Sequence, residues 1–259
     1  MKALIPAAGH GTRFLPVTRV VPKEMLPVGA KPAIHLIVEE ALQAGAEEVV
    51  VIISPEKEII RRYFEGDPAL AAKIRWAFQT EQKGLGHAVL QAAPVLSEEK
   101  EPVLVLLGDA LVAGEPPSAA MAAISREHGG ASVVGLEEVP LERVSRYGIV
   151  KGEPVAGTAN VQQQAETRVY KLSDLVEKPS PEVAPSRLAI AGRYLLDPAV
   201  FGFLATQTPG VGGEIQLTDA IRRLLLSGRP VFGYRYPGCR HDIGNPAGYL
   251  KALNDFSAV

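Results

Sequence analysis

Short, unbroken apolar runs recur along this chain, separated by longer segments whose apolar residues fall on one helical face. The clearest is the stretch Val-Val-Val-Ile-Ile at 49–53; Ala3-Leu4-Ile5 and residues 103–107 are others. A strand that is covered on both faces has no polar side to alternate with, so it reads as a continuous apolar run. Further strands are expected at 74–78 and 131–136. Between them, residues 32–44 carry Ile34, Ile37, Val38, Ala41 and Leu42 at helical spacing, with Pro32 suited to a first turn and Gly45 to an end. Helices are also expected over 55–64, 84–93 and 117–128. This β-α-β-α alternation predicts an α/β fold: a Rossmann-like, doubly wound, mostly parallel sheet with helices on both faces.

The rhythm breaks after 136. Residues 151–171 are polar, with Gly152, Gly157 and three consecutive glutamines, and predict a small β-hairpin insertion on the surface. Strands at 188–196 and 231–236 and helices at 198–204, 216–226 and 246–256 follow, with a flexible loop at 210–213. A chain of 259 residues, 47% hydrophobic, can fill one large core. The expected organisation is a single domain over 1–259, with the hairpin inserted near 151–171. No repeat of fixed period is present.

The formal net charge of −2 provides no broad basic surface for nucleic acid. A single cysteine, Cys239, excludes an internal disulfide and a cysteine-based zinc cluster. No apolar run approaches the roughly 20 residues of a membrane span, and no secretion signal opens the chain. A cytoplasmic protein with no membrane partner is expected.

The first expected strand empties into Ala7-Ala8-Gly9-His10-Gly11-Thr12, followed by Arg13, Lys23 and Lys31. Small residues let a backbone bend and bring its N–H groups close to an anion. Three cations close by in sequence point to a polyphosphate. The segment is not a dinucleotide fingerprint, because Phe14 stands where the third glycine belongs. Nor is it a Walker A loop, which would end in Gly-Lys-Ser/Thr. Pro16, Pro22 and Pro27 prevent a long helix directly after it.

Asp109 follows the strand at 103–107, and ligands bind at the carboxyl ends of strands in open α/β sheets. Asp242 follows the strand at 231–236. Magnesium is commonly held by one or two carboxylates together with phosphates and water. Either residue could equally cap a turn.

The wording Ala-Ala-Gly-x-Gly-Thr-Arg-Phe-Leu-Pro-x-Thr, then Pro-Lys-Glu-Met-Leu-Pro-Val and Lys-Pro-x-Ile, resembles the sugar-1-phosphate nucleotidylyltransferases, and within them the uridylyl branch. Later segments near 79–88, 107–112, 147–150, 176–196, 212–221 and 240–244 extend the resemblance over nearly the whole chain. It implies transfer of a uridylyl group from UTP to glucose 1-phosphate, releasing pyrophosphate, with Mg²⁺ on Asp109 and Asp242. Ala7, Ala8, Gly9, Gly11 and Thr12 would cradle the nucleotide. Gln79 and Gly84 would meet its base, since an amide can donate to and accept from a pyrimidine edge. His87 is as readily a polar helix-start residue as a ligand contact.

Gly148, Glu177 and Glu214 would hold the sugar. Arg13 and Lys23 would stabilise the triphosphate and the departing pyrophosphate, and Lys178 the incoming sugar phosphate. The resemblance also implies a homo-oligomer, a dimer or tetramer, and a nucleotide-binding half at 1–136 followed by a sugar-phosphate-binding half at 137–259. Ala110 stands where relatives often carry a second Asp. Thymidylyl transfer, transfer to another sugar phosphate, and a non-catalytic nucleotide-sugar-binding subunit are the alternatives.

Overall fold

The computed structural model describes residues 1–155 and 168–256. Its strands, in chain order, are β1 (Lys2–Pro6), β2 (Pro27–Val28), β3 (Lys31–Pro32), β4 (Glu48–Ile53), β5 (Ile74–Phe78), β6 (Val103–Leu106), β7 (Ala110–Ala113), β8 (Ser132–Glu138), β9 (Gly148–Pro154), β10 (Val169–Glu177), β11 (Leu188–Leu196), β12 (Val231–Arg235) and β13 (Cys239–Asp242). The α-helices are α1 (Ala33–Gln43), α2 (Glu58–Glu65), α3 (Pro68–Ala71), α4 (Leu85–Leu90), α5 (Ser118–Glu127), α6 (Val200–Ala205), α7 (Leu217–Leu226) and α8 (Pro246–Phe256).

Nine strands form one sheet in the order β5-β4-β1-β6-β11-β8-β12-β10-β9. The first four are mutually parallel, and only β11 and β10 oppose the common direction. Strand alternation explains the helices on both faces. Ile5, Val49, Val51, Ile53, Leu104 and Leu106 point to one side, where they pack with α1, α2 and α5. Leu4, Val50, Ile52, Val103 and Val105 point to the other, against α4, α6 and α7. Each such side chain, fully buried, contributes about 1.5–3 kcal/mol, and together they fix the register. The α1 stripe expected from the sequence is buried at Ile34, Ile37, Val38 and Ala41.

The expected hairpin differs in extent. Its arms, β9 and β10, are longer than the polar segment and form the edge of the main sheet, with Glu177 opposite Gly148. Val150, Leu172 and Leu175 are apolar and buried, so they draw the arms into the sheet. Residues 156–167, which hold Gly157 and the glutamine run, lie outside the described residues. The ribbon made by β7 and β13, where Asp242 pairs with Ala110, has no counterpart among the expected strands. Among the described residues no helix is long and apolar enough to cross a membrane.

Candidate active site

Because β5, β4, β1 and β6 are parallel neighbours, their carboxyl ends share one edge of the sheet. That edge carries, in strand order, Gln79, Ser54, the Ala7–Gly9 turn and Asp109. A cavity of about 300 Å³ opens above it, lined by Ala8, Gly9, Lys23, Glu24, Gln79, Gln82, Gly84, Asp109 and Glu214 among others. The strand order therefore gathers residues that lie far apart in the sequence.

The turn after β1 is pinned from below. Ala7 N–H donates to the Ile52 carbonyl at 2.7 Å, and the Ala7 carbonyl accepts from Lys57 Nζ at 2.6 Å. Lys57 also reaches Glu24 at 2.8 Å, and both side chains are buried. Burial pushes the Glu24 carboxyl up and the Lys57 ammonium down, each favouring its neutral form, while their mutual attraction opposes this. Neither residue stood out in the sequence, because Lys57 lies in a helical stretch and Glu24 in a loop.

Instead of a helix, three single turns of 3₁₀-helix follow the glycine turn, at Thr12–Phe14, Val17–Arg19 and Lys23–Met25. They separate the three cations. Lys23 enters the cavity, with Nζ 2.5 Å from Asp109 Oδ2. A Cβ on Gly9 would lie 3.7 Å from that ammonium. Burial alone would bring Lys23 down, but Asp109, Glu24 and Asp242 hold it above the ordinary lysine value. Arg13 is exposed on the first of these turns, has no ion pair among the described residues, and does not line the cavity. Lys31 turns away altogether and pairs with Glu39 of α1 at 2.6 Å.

Asp109 lies at the bend between β6 and β7. Gly108 N–H donates to the Pro6 carbonyl at 3.1 Å, and the Asp109 carbonyl accepts from Ile243 N–H at 2.9 Å. Although burial works to raise it, Lys23 and Arg240 hold the Asp109 carboxyl below the usual carboxylate range. The ribbon brings Asp242 alongside. A Cβ placed on Gly244 would sit 2.8 Å from Asp242 Oδ1 and 3.0 Å from Asp109 Oδ2. Two carboxylates far apart in the sequence thus flank a space that only a glycine leaves open. Asp242 reaches it from the end of β13, not from the sheet strand β12 as the sequence suggested.

The amide of Gln79 is buried, with Nε2 3.0 Å from His87 Nδ1 and 3.3 Å from the Gly84 carbonyl. His87 therefore orients Gln79. Gly84 has φ +97°, and a Cβ there would come within 2.7 Å of Glu214 Cβ. This approach fixes the segment at 83–86 against 214–215, with Ile215 N–H donating to the Lys83 carbonyl and Gly86 N–H to the Ile215 carbonyl, both at 2.8 Å.

Glu214 accepts from Gln216 Nε2 at 3.0 Å and faces the same cavity as Gln79. One turn further along, Thr218 of α7 packs on Gly148, whose added Cβ would meet Thr218 Oγ1 at 2.7 Å and Glu177 Oε2 at 3.2 Å. The start of α7 thus joins the Gln79 region to the Glu177 region. Lys178 has φ +48°, a left-handed conformation that costs a non-glycine residue of order 1 kcal/mol or more. Its N–H donates to the Tyr147 carbonyl at 2.9 Å, and its ammonium stands 3.4 Å from Glu177.

Arg240 links the two groups. It donates to Glu137 at 2.7 Å and lies 5.2 Å from the centre of the Tyr147 ring. Burial opposes its charge, but Glu137 raises it further into the charged range. Burial pushes the Tyr194 phenol up, and the charges of Glu177 and Asp109 act in the same direction. Arg240 could have been found from the sequence as the residue before His241-Asp242.

Comparison with known proteins places this geometry in context. Residues 2–258 match the family described as nucleotidyl transferase. The chain is 41% identical to a UTP–glucose-1-phosphate uridylyltransferase of Staphylococcus haemolyticus, covering 99% of this chain and 92% of the relative. It is 40% identical to the enzyme of the same description from Bacillus subtilis, over 99% and 90%. A crystal structure of a UDP-glucose pyrophosphorylase complexed with UDP-glucose superposes with a TM-score of 0.85 at 37% identity, over 99% of this chain and 98% of that one.

Proposed function

The chain belongs to the nucleotidyl transferase family, and on that premise we propose that it transfers a uridylyl group from UTP to glucose 1-phosphate, giving UDP-glucose and pyrophosphate. The observation that carries the residue assignments is the single cavity in which Gly9, Lys23, Asp109, Gln79, Gly84 and Glu214 converge. The sugar phosphate is already an anion near neutral pH, so its oxygen needs no general base to attack the α-phosphorus in line. The barrier is electrostatic, and positioning with charge stabilisation meets it.

Lys23 is the resident counter-ion of Asp109 and keeps its full charge. A triphosphate entering beside Gly9 competes with Asp109 for this ammonium and draws it toward the departing pyrophosphate. Arg13, free of other partners among the described residues, closes over the outer phosphates from its exposed turn. Gln79, held through Nε2 by His87 and Gly84, presents its carbonyl oxygen to the base. Glu214 and Glu177 accept from sugar hydroxyls, and the backbone at Gly148 approaches the ring. Lys178, aimed by its left-handed backbone, takes the incoming phosphate.

Asp109 and Asp242 suit a hard divalent ion: both donors are carboxylate oxygens, and they flank the space left by Gly244. Mg²⁺ bound there would draw the two phosphates together and offset their charge. We place the enzyme in the cytoplasm, as a homo-oligomer. Purified protein incubated with a panel of nucleoside triphosphates and sugar 1-phosphates, with and without Mg²⁺, should release pyrophosphate fastest with UTP and glucose 1-phosphate and only with the metal. A different preferred pair, or equal rates in chelator, would overturn the assignment.

A further inference from the structure

Strand β13 has two faces with different chemistry. Arg240 and Asp242 point toward the cleft; by strand alternation Cys239 and His241 point the other way, toward α8. There Asp255 of α8 joins them. One donor atom from each of Cys239, His241 and Asp255 lies within 4.8 Å of the others. His241 is buried at 5% exposure, and its Nε2 has no hydrogen-bond partner among the described residues, even though Asp255 Oδ2 is 2.8 Å away. The carboxylate is within reach but out of line for a ring N–H. The Phe256 ring packs edge-on to the imidazole at 6.4 Å and helps hold it in place.

We propose that Cys239, His241 and Asp255 form a binding site for a borderline transition-metal ion such as Zn²⁺, separate from the cleft and independent of the uridylyl-transfer reading. A thiolate, an imidazole and a carboxylate are ligands that Zn²⁺ takes at about 2.0–2.3 Å. Tetrahedral geometry with those bond lengths sets the donors roughly 3.5 Å apart, so the present spread closes with side-chain movement alone. Cys239 and Asp255 are exposed and free to move, while buried His241 is the fixed point. The exposed side leaves the fourth position to water. Mg²⁺ and Ca²⁺ prefer all-oxygen sites and are not expected here. The ion would tie α8 to the back of the strand whose other face carries Asp242.

Cobalt provides a clean test, because Cys239 is the only cysteine in the chain. The full-length protein, reduced and held in excess Mg²⁺ to occupy the cleft, is titrated with Co²⁺. A near-ultraviolet sulfur-to-cobalt band should grow to one equivalent per chain and bleach with one equivalent of Zn²⁺. Cys239→Ser should abolish the band. Asp255→Asn, an exposed change that leaves the fold intact, should weaken Co²⁺ binding at least about 10-fold, and His241→Asn by more. Absence of the band in the unmodified protein, or the same affinity in Asp255→Asn, would overturn the proposal. Circular dichroism of each variant separates lost binding from lost folding.

Discussion

Arg193→Met is expected to unfold much of the safety margin of this protein and, separately, to slow it. The guanidinium is fully buried. Its Nε and Nη2 donate to the two oxygens of Glu40 at 2.9 and 2.7 Å, Nη2 to the Ala110 carbonyl at 2.8 Å, and Nη1 to the Gly192 carbonyl at 3.1 Å. Ser118 Oγ adds a bond to the same Glu40 carboxylate. Removing the arginine leaves Glu40 buried with that hydroxyl as its one remaining side-chain partner among the described residues. Breaking a buried ion pair from one side costs about 3–5 kcal/mol, a large share of the roughly 5–15 kcal/mol that holds most domains folded. At about 2–4 °C per kcal/mol for chains near this size, the melting temperature should fall by about 10 °C.

Glu40→Leu combined with Arg193→Met removes both charges and should regain most of that loss, since apolar replacement of a buried pair is often neutral. Turnover should not return with it. Ala110 directly follows Asp109, and its carbonyl loses its clamp in both variants. Urea unfolding followed by circular dichroism reads the first effect, and pyrophosphate release at saturating UTP and Mg²⁺ reads the second. A loss below about 1 kcal/mol in the single variant would refute the energetic argument. Recovery of both stability and turnover in the double variant would show that the pair does not position Asp109.

Asp109→Asn should cut turnover at least about 10²-fold at saturating Mg²⁺; a near-normal rate removes it from the metal site. Gly244→Ala places a methyl group between the two carboxylates and should raise the Mg²⁺ concentration needed for half-maximal rate about tenfold or more, a penalty of the size a disturbed metal shell carries. An unchanged Mg²⁺ dependence shows that the ion sits elsewhere. Gln79→Ala should loosen the preference for UTP over dTTP and ATP while largely sparing sugar selectivity, measured as ratios of kcat/KM. Glu214→Ala should weaken use of the sugar phosphate more than UTP binding; equal losses would move Glu214 to the nucleotide side, where its contact with Gly84 already places its Cβ.

The sheet could be read from the sequence because doubly buried strands leave no polar alternation to confuse them. Residues 49–53 show this most plainly, each at 0% exposure. The site could be read where a residue follows an expected strand directly, as Gln79 follows the edge strand β5 and Asp109 closely follows the buried β6. It was hidden where position depends on pairing between distant segments. Asp242 gains its place from a four-residue ribbon too short to leave a periodic trace, and Lys57 from packing beneath a turn 50 residues away. Three cations close in sequence suggested one phosphate cluster. Proline-separated turns instead sent Lys23 inward, left Arg13 outside and gave Lys31 to α1, because direction along an irregular loop is set by each turn and not by sequence distance.

The small ribbon of β7 and β13 has a consequence for how the molecule comes into being. It joins residues 110–113 to residues 239–242, so a polypeptide still emerging from the ribosome can build most of the sheet before the Asp242 carboxylate is there to stand beside Asp109. Competence should therefore arrive abruptly and late, and a chain cut short before residue 242 should be well folded in large part but silent.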